Sequence, residues 1–509
     1  MKNKSLLLLS VCLMGLTVTG CGEDFLTSSS AEQRATGESA SEAGMLSFLT
    51  SAYQPLLFDS YADNNYNSLP LMSDFRSDDI YKGGGSADDQ LSLYYLSQFT
   101  STPTTTVAGL WNVCYSGIAR CNYVLIAGEN TVGVSEEKLA KFRAEAFFLR
   151  AYYTHILWKL YGNVPYFTGI LADAPSLAPQ YTADEIYGFI MEDLAEAGKE
   201  DVLPMRATGA DVGRASLAAA LMLKARVVLY QKDESRYAEI TGDMAAIIAD
   251  GSYTLYPDFD KLWEDDAEFC DENIFETNQL PEGKTWSEAW QGYGTNLPAF
   301  IGPSELKDPA GVFKGGWAFA PVREQAYAMY ESGDLRRDAS INFWPEGSYA
   351  PRFQNTGYFL RKYAPRDGYN PPPGDQDLNY ANNLRIFRYA ETLLNYVELV
   401  KMHGQSEALG VSADAQFAAV RERAFGANAP ALPATTENIK LERRREFLGE
   451  GMRFWDIIRW GDATTVLTEN DVDHNSSRTF TEKKKYLPIP QSEIDKTKGT
   501  DFELKQNEQ

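Results

Sequence analysis

The side chains best placed to do chemistry in this 509-residue chain are aromatic rather than nucleophilic. Histidine occurs three times, at His155, His403 and His474, with no His-Glu-x-x-His spacing to hold a metal. His155 falls inside an apolar helical stretch and reads as a satisfied core residue. Ser135 and Lys138 match a serine–lysine spacing, but they open a helix, where a serine hydroxyl caps the first turn. No Gly-x-Ser-x-Gly elbow, phosphate cradle or dinucleotide fingerprint is present, and Gly83-Gly84-Gly85 reads as a turn. With 71 acidic residues a glycosidase pair stays open, because such a pair is defined by a separation of about 5–9.5 Å in space. No catalytic residue, cofactor or metal site is expected from these patterns.

The nine tryptophans sort by context. Trp111, Trp158, Trp455 and Trp460 lie in apolar helical stretches and read as core, while Trp263 is ambiguous. Trp286, Trp290, Trp317 and Trp344, with Tyr293, fall in a stretch rich in Gly, Pro and Asn, where burial is hard to arrange. An exposed ring offers a flat face to the apolar side of a sugar, with nearby polar groups taking the hydroxyls. Trp286, Trp290, Tyr293 and Trp317 are therefore the candidate ligand-binding aromatics.

The elements that must position them are mainly α-helical. Helical periodicity covers Val107–Gly128, Ser135–Tyr161, Ala183–Ala197, Gly213–Gln231, Asn383–His403, Ser412–Phe425 and Thr436–Gly449. The 135–161 stretch is apolar nearly all round and ends at Gly162, so it belongs in the core. Successive helix pairs suggest tetratricopeptide-like units forming a scaffold, with a loop-rich irregular region carrying the ligand face. The expected organisation is a signal segment over 1–20, a tether over 21–44, a helical region over 45–280, and a second region over 281–509. Within the second region, an insert over 281–380 carries the loops. Cys114 and Cys121, seven apart on a helix, are too distant to bridge and read as buried small hydrophobes. Glu442, Glu446 and Glu450 interleave with Arg443-Arg444-Arg445 and read as helix-surface ion pairs.

The N-terminus speaks to location. Lys2 and Lys4 precede an apolar run from Leu6 to Leu16 that is too short to span a bilayer, which takes about 20 residues. Val18-Thr19-Gly20-Cys21 resembles a bacterial lipoprotein signal, with cleavage before Cys21 and lipid on its thiol. Cleavage would remove Lys2 and Lys4 and take the formal charge from −24 to −26. Such acidity argues against nucleic acid and against anionic headgroups as partners. Several acyl chains at Cys21 would anchor the protein to a membrane without spanning it.

Four segments together carry a family resemblance. They are Arg143–Tyr153 running on to Leu160-Tyr-Gly-Asn-Val-Pro165, Arg388-Tyr-Ala-Glu391-Thr-Leu-Leu-Asn395-Tyr, Glu442–Gly461, and Tyr486-Leu-Pro-Ile-Pro490-Gln-Ser-Glu-Ile-Asp495. In this order they resemble the signatures of the SusD/RagB family. The resemblance implies a non-catalytic outer-membrane lipoprotein of Bacteroidetes, facing the cell exterior, that captures a glycan and passes it to a SusC-like TonB-dependent transporter. Glu23 and Asp24 resemble the export signal of such lipoproteins. A peptide ligand, as in the RagB branch, and a surface glycoside hydrolase remain alternatives. The resemblance also implies Asp74 and Arg76 as sugar-contacting partners, because Leu71–Arg76 resembles the stretch where family members place an acid and an arginine. Tyr94, Tyr95 and Phe99 occupy the region where some members place a stacking aromatic.

Overall fold

The computed structural model describes residues 41–58, 66–129, 131, 133–171, 177–287, 292–426 and 429–508. Cys21, the signal segment and most of the tether lie outside them, as does Trp290. Numbering the helices of eight residues or more gives α1 Glu42–Tyr53, α2 Gly109–Glu129, α3 Glu136–Tyr161, α4 Ala183–Ala197 and α5 Leu217–Gln231. They continue as α6 Tyr237–Asp250, α7 Tyr389–Lys401, α8 Ala413–Phe425, α9 Thr436–Glu446 and α10 Arg453–Trp460.

Caps explain where these helices start. The Ser135 hydroxyl accepts the Lys138 N–H at 3.4 Å, and Thr182 and Glu185 form a reciprocal capping box at the head of α4. The Gly213–Gln231 periodicity resolves into a helix that begins only after Ser216, whose hydroxyl accepts the Ala219 N–H.

Each helix packs on the next in an unbroken series from α1 to α7, and α7 then meets α8 and α9. The core of this stack is α3, where Phe148, Leu149, Ala151, Leu157, Leu160 and Tyr161 are fully buried. Its turns meet α2 on one side and α4 on the other. His155 is buried there too, with Nδ1 facing the Tyr152 carbonyl, and Cys114 and Cys121 are buried free thiols.

The Asn383–His403 stretch is not one helix. Arg385–Arg388 is a strand, β2, paired antiparallel with β1 (Asn273–Glu276), and only from Tyr389 does the chain turn helical. Pairing with a segment more than a hundred residues away overrides local periodicity here. The consequence is architectural. β1 and β2 form a neck, so the chain from 277 to 384 leaves the scaffold and returns to the same place, while α6 packs directly on α7.

The arginine run also differs from its surface reading. Glu442, Arg443, Arg445 and Glu446 are buried, and many of their partners lie on other elements. Arg336 reaches Glu442 at 2.7 Å, Arg421 reaches Glu442 at 3.0 Å, Arg388 reaches Glu450 at 2.8 Å, and Arg423 grips Glu446. A buried charge is tolerated only when paired and hydrogen-bonded, so this network fixes how α7, α8 and α9 meet.

Candidate binding face

Beyond the neck, residues 280–284 and 292–293 form the base of a loop, closed by backbone hydrogen bonds. Leu280 N–H donates to Tyr293 O at 2.9 Å, and Tyr293 N–H donates to Glu282 O at 2.9 Å. Gly283 and Gly292 face each other across that base at φ +91 and +88, and a Cβ on Gly283 would lie 2.8 Å from the Gly292 Cα. Only glycine at both positions lets the strands approach this closely.

The loop is fastened to a second one. The Asn379 side chain, itself buried, accepts the Lys284 N–H at 2.9 Å through Oδ1. Its Nδ2 donates to Lys284 O at 2.8 Å and to Asp375 O at 2.9 Å. Two residues along the first loop, the Trp286 N–H donates to Asp375 Oδ2 at 3.0 Å.

Trp317 arrives from a different strand of chain. Its N–H donates to Ala299 O at 2.7 Å, and Gly316 makes that possible, since a Cβ there would lie 2.3 Å from the same carbonyl. The ring stands on Phe300 with centroids 5.0 Å apart, and Phe300 stands on Phe319 and Tyr66. On this base, the rings of Trp317 and Trp286 lie 5.9 Å apart with planes inclined by 35°. Trp286 is 49% exposed and Tyr293 is 45% exposed. Tyr293 sits at the base of the loop, without a ring contact to the tryptophan pair among the described residues. Trp344 belongs elsewhere, half-buried against Phe313 at the end of a hairpin.

Asp74 and Arg76 are not on this face. Each is 1% exposed. Asp74 accepts the Gly451 N–H at 3.2 Å, and burial, with Asp79 beside it, pushes its carboxyl well above the usual range. The Arg76 guanidinium lies 3.9 Å from the Phe454 ring centroid and donates to Lys484 O and Lys485 O at 2.8 and 2.9 Å. The physical reason is that segment 74–79 threads between the scaffold and the C-terminal signature, whose Arg444 and Arg453 clasp Asp79 and Asp78 at 2.7 Å each. Phe99 is buried against Phe454 and Phe480, and Tyr94 donates to Asn475 O at 3.3 Å.

The polar groups beside the rings were not among the sequence candidates. Asp375, Asn379 and Lys284 carry no motif, and the only sequence signal near them is the turn-forming Asn370-Pro-Pro-Pro-Gly374 run. Among the described residues no group of three or more His, Cys, Asp or Glu is placed to hold a metal, and no helix is long and apolar enough to cross a membrane. The arrangement offers apolar ring faces flanked by hydrogen-bonding groups, which suits binding.

Comparison with known proteins gives this face a context. A family model described as the SusD family matches residues 275–509, and one described as "Starch-binding associating with outer membrane" matches residues 24–229. Surface glycan-binding protein A from Bacteroides fluxus is 63% identical, covering 92% of this chain and 99% of that one, with a TM-score of 0.89. The chain belongs to the SusD family. Its SusD-family relative surface glycan-binding protein A from Bacteroides thetaiotaomicron, solved in complex with laminarihexaose, is 35% identical over 92% of this chain and 100% of that one, with a TM-score of 0.85. A laminarin-binding SusD-like protein is 29% identical over 92% and 99%, with a TM-score of 0.78. These SusD-family relatives are named for binding and not for catalysis. The mainly helical scaffold with its irregular insert is the fold they share.

Proposed function

We propose that this protein is a cell-surface glycan-binding lipoprotein whose ligand is a laminarin-type β-glucan. The observation that carries the reading is the pair made by exposed Trp286 and half-buried Trp317, inclined by 35° beside Asp375, in a chain resembling one solved with laminarihexaose. Two neighbouring rings whose planes differ by 35° offer a bent platform, which suits a curved glucan better than a flat ribbon. The chain's formal charge of −24 suits a neutral ligand better than an anionic one. Cys21 supplies the lipid anchor, the face points away from the cell, and a SusC-like TonB-dependent transporter receives the glycan.

Calorimetry on the full chain tests the ligand. Laminarihexaose should bind in roughly the micromolar to millimolar range, as expected of an open, shallow face. Cellohexaose and maltohexaose should bind more weakly, and no reducing ends should be released on incubation. Equal affinity for all three sugars would refute the ligand class, and released ends would return the hydrolase reading. The anchor is tested separately: Cys21→Ser should move the protein from the membrane to the soluble fraction, in cells lacking the transporter.

A further inference from the structure

The ring faces supply apolar contact, but a sugar stacked on Trp286 also presents hydroxyls around its edge, and these need acceptors. Asp375 is the acid placed to provide one. It lies in the second loop, half-buried, and one carboxylate oxygen, Oδ2, already accepts the Trp286 N–H at 3.0 Å. That hydrogen bond puts the carboxylate within one residue's reach of the Trp286 ring. Among the described residues no donor reaches the other oxygen, Oδ1. The backbone behind it is held rigidly, since Asp375 O accepts both the Leu378 N–H and the Asn379 Nδ2, each at 2.9 Å. Asn379 in turn holds Lys284 through both its N–H and its carbonyl. A single buried amide thereby sets the position of the ring and of the carboxylate together.

We infer that Asp375 contacts the glycan directly, its Oδ1 accepting hydroxyl donors from the sugar unit stacked on Trp286. The inference rests on the glycan reading above and adds the residue that reads the hydroxyls. Hydroxyl-to-carboxylate hydrogen bonds are charge-assisted and roughly twice as strong as neutral ones. The frame is also preorganised, so little ordering cost accompanies binding. A carboxylate that only fastened the loop would need one acceptor oxygen, which an amide supplies equally well.

That difference gives the experiment. Asp375→Asn keeps an oxygen for the Trp286 N–H and removes the charge. Laminarihexaose titrated into the full chain should bind about tenfold more weakly to Asp375→Asn than to wild type, equivalent to about 1.4 kcal/mol. The melting temperature should stay within about a degree. Affinity within twofold of wild type would show Asp375 to be a loop fastener only and overturn the inference. Should Asp375→Asn fold poorly, Asp375→Ser, which also removes the carboxylate, must show the same tenfold loss or the inference fails. A wild-type chain that ignores laminarihexaose would instead overturn the ligand assignment itself, and this inference with it.

Discussion

Trp286 and Trp317 are neighbours, with centroids 5.9 Å apart, yet they are held differently, and that asymmetry separates binding from stability at the level of single residues. Trp286 is nearly half exposed beside the fastened base of its loop, whereas Trp317 is half-buried and stands on Phe300. Trp286→Ala should therefore weaken laminarihexaose binding about fivefold, for a stacked ring worth about 1 kcal/mol, with an unchanged melting temperature. Trp317→Ala should weaken binding similarly but also cost about 1–3 kcal/mol of stability, less than the 3–5 of a fully buried ring. Calorimetry paired with urea unfolding separates the two, and equal stability losses would contradict the assignment. From sequence the rings are equivalent, because composition marks a loop and says nothing of what stands beneath each side chain. The same blindness explains Asp74 and Arg76. A short segment can resemble a ligand-contacting stretch, but its burial is decided by Arg444 and Arg453, hundreds of residues away.

Among the elements, α3 was the most legible, and for physical reasons. Its serine cap, terminal Gly162 and all-round apolar surface are local signals, and each appears in the structure as read. Leu149 is fully buried on α3, which packs against both α2 and α4. Leu149→Ala should leave a cavity and cost about 2–5 kcal/mol, seen as a lower urea midpoint. A midpoint equal to wild type would place Leu149 outside the core. Illegible were the elements made by distant pairing. β1 and β2 exist because Asn273 meets Arg388 and Glu276 meets Arg385, and no local pattern announces that register. The α9 charges are ambiguous in sequence for a related cause: i, i+3 and i+4 spacing fits a solvated helix face as well as a buried one, and only the facing Arg336, Arg388 and Arg421 decide.

Across the whole molecule, one ion network fastens the helical scaffold to the region that carries the binding loops. Glu446 sits at its centre, meeting Arg336 and Arg388, at 3.2 and 3.1 Å, together with Arg423. Arg336 and Lys362 come from the insert, while Arg388 opens α7 and Arg423 lies near the end of α8, so the loops are tied to the stack by charge as well as by the β1–β2 neck. Burial alone would raise the Glu446 pKa, but Arg423, Arg388 and Arg336 overcome it and hold the carboxyl well below its ordinary range. The sign follows from linkage. A carboxyl depressed in the folded state stabilises the protein above its unfolded value of about 4.3, and that contribution is lost as pH falls toward the folded value. Glu446→Gln removes the charge and leaves buried cations short of a partner, so at pH 7 it should cost about 3–5 kcal/mol. The gap between wild type and Glu446→Gln should be constant from pH 7 to about 5. Below about pH 4 it should close by about 1.4 kcal/mol per pH unit, because the wild type loses there what the variant never had. Urea unfolding from pH 7 to 3 checks this, and a gap that stays constant down to pH 3 would mean that the Glu446 charge does not hold the insert to the scaffold.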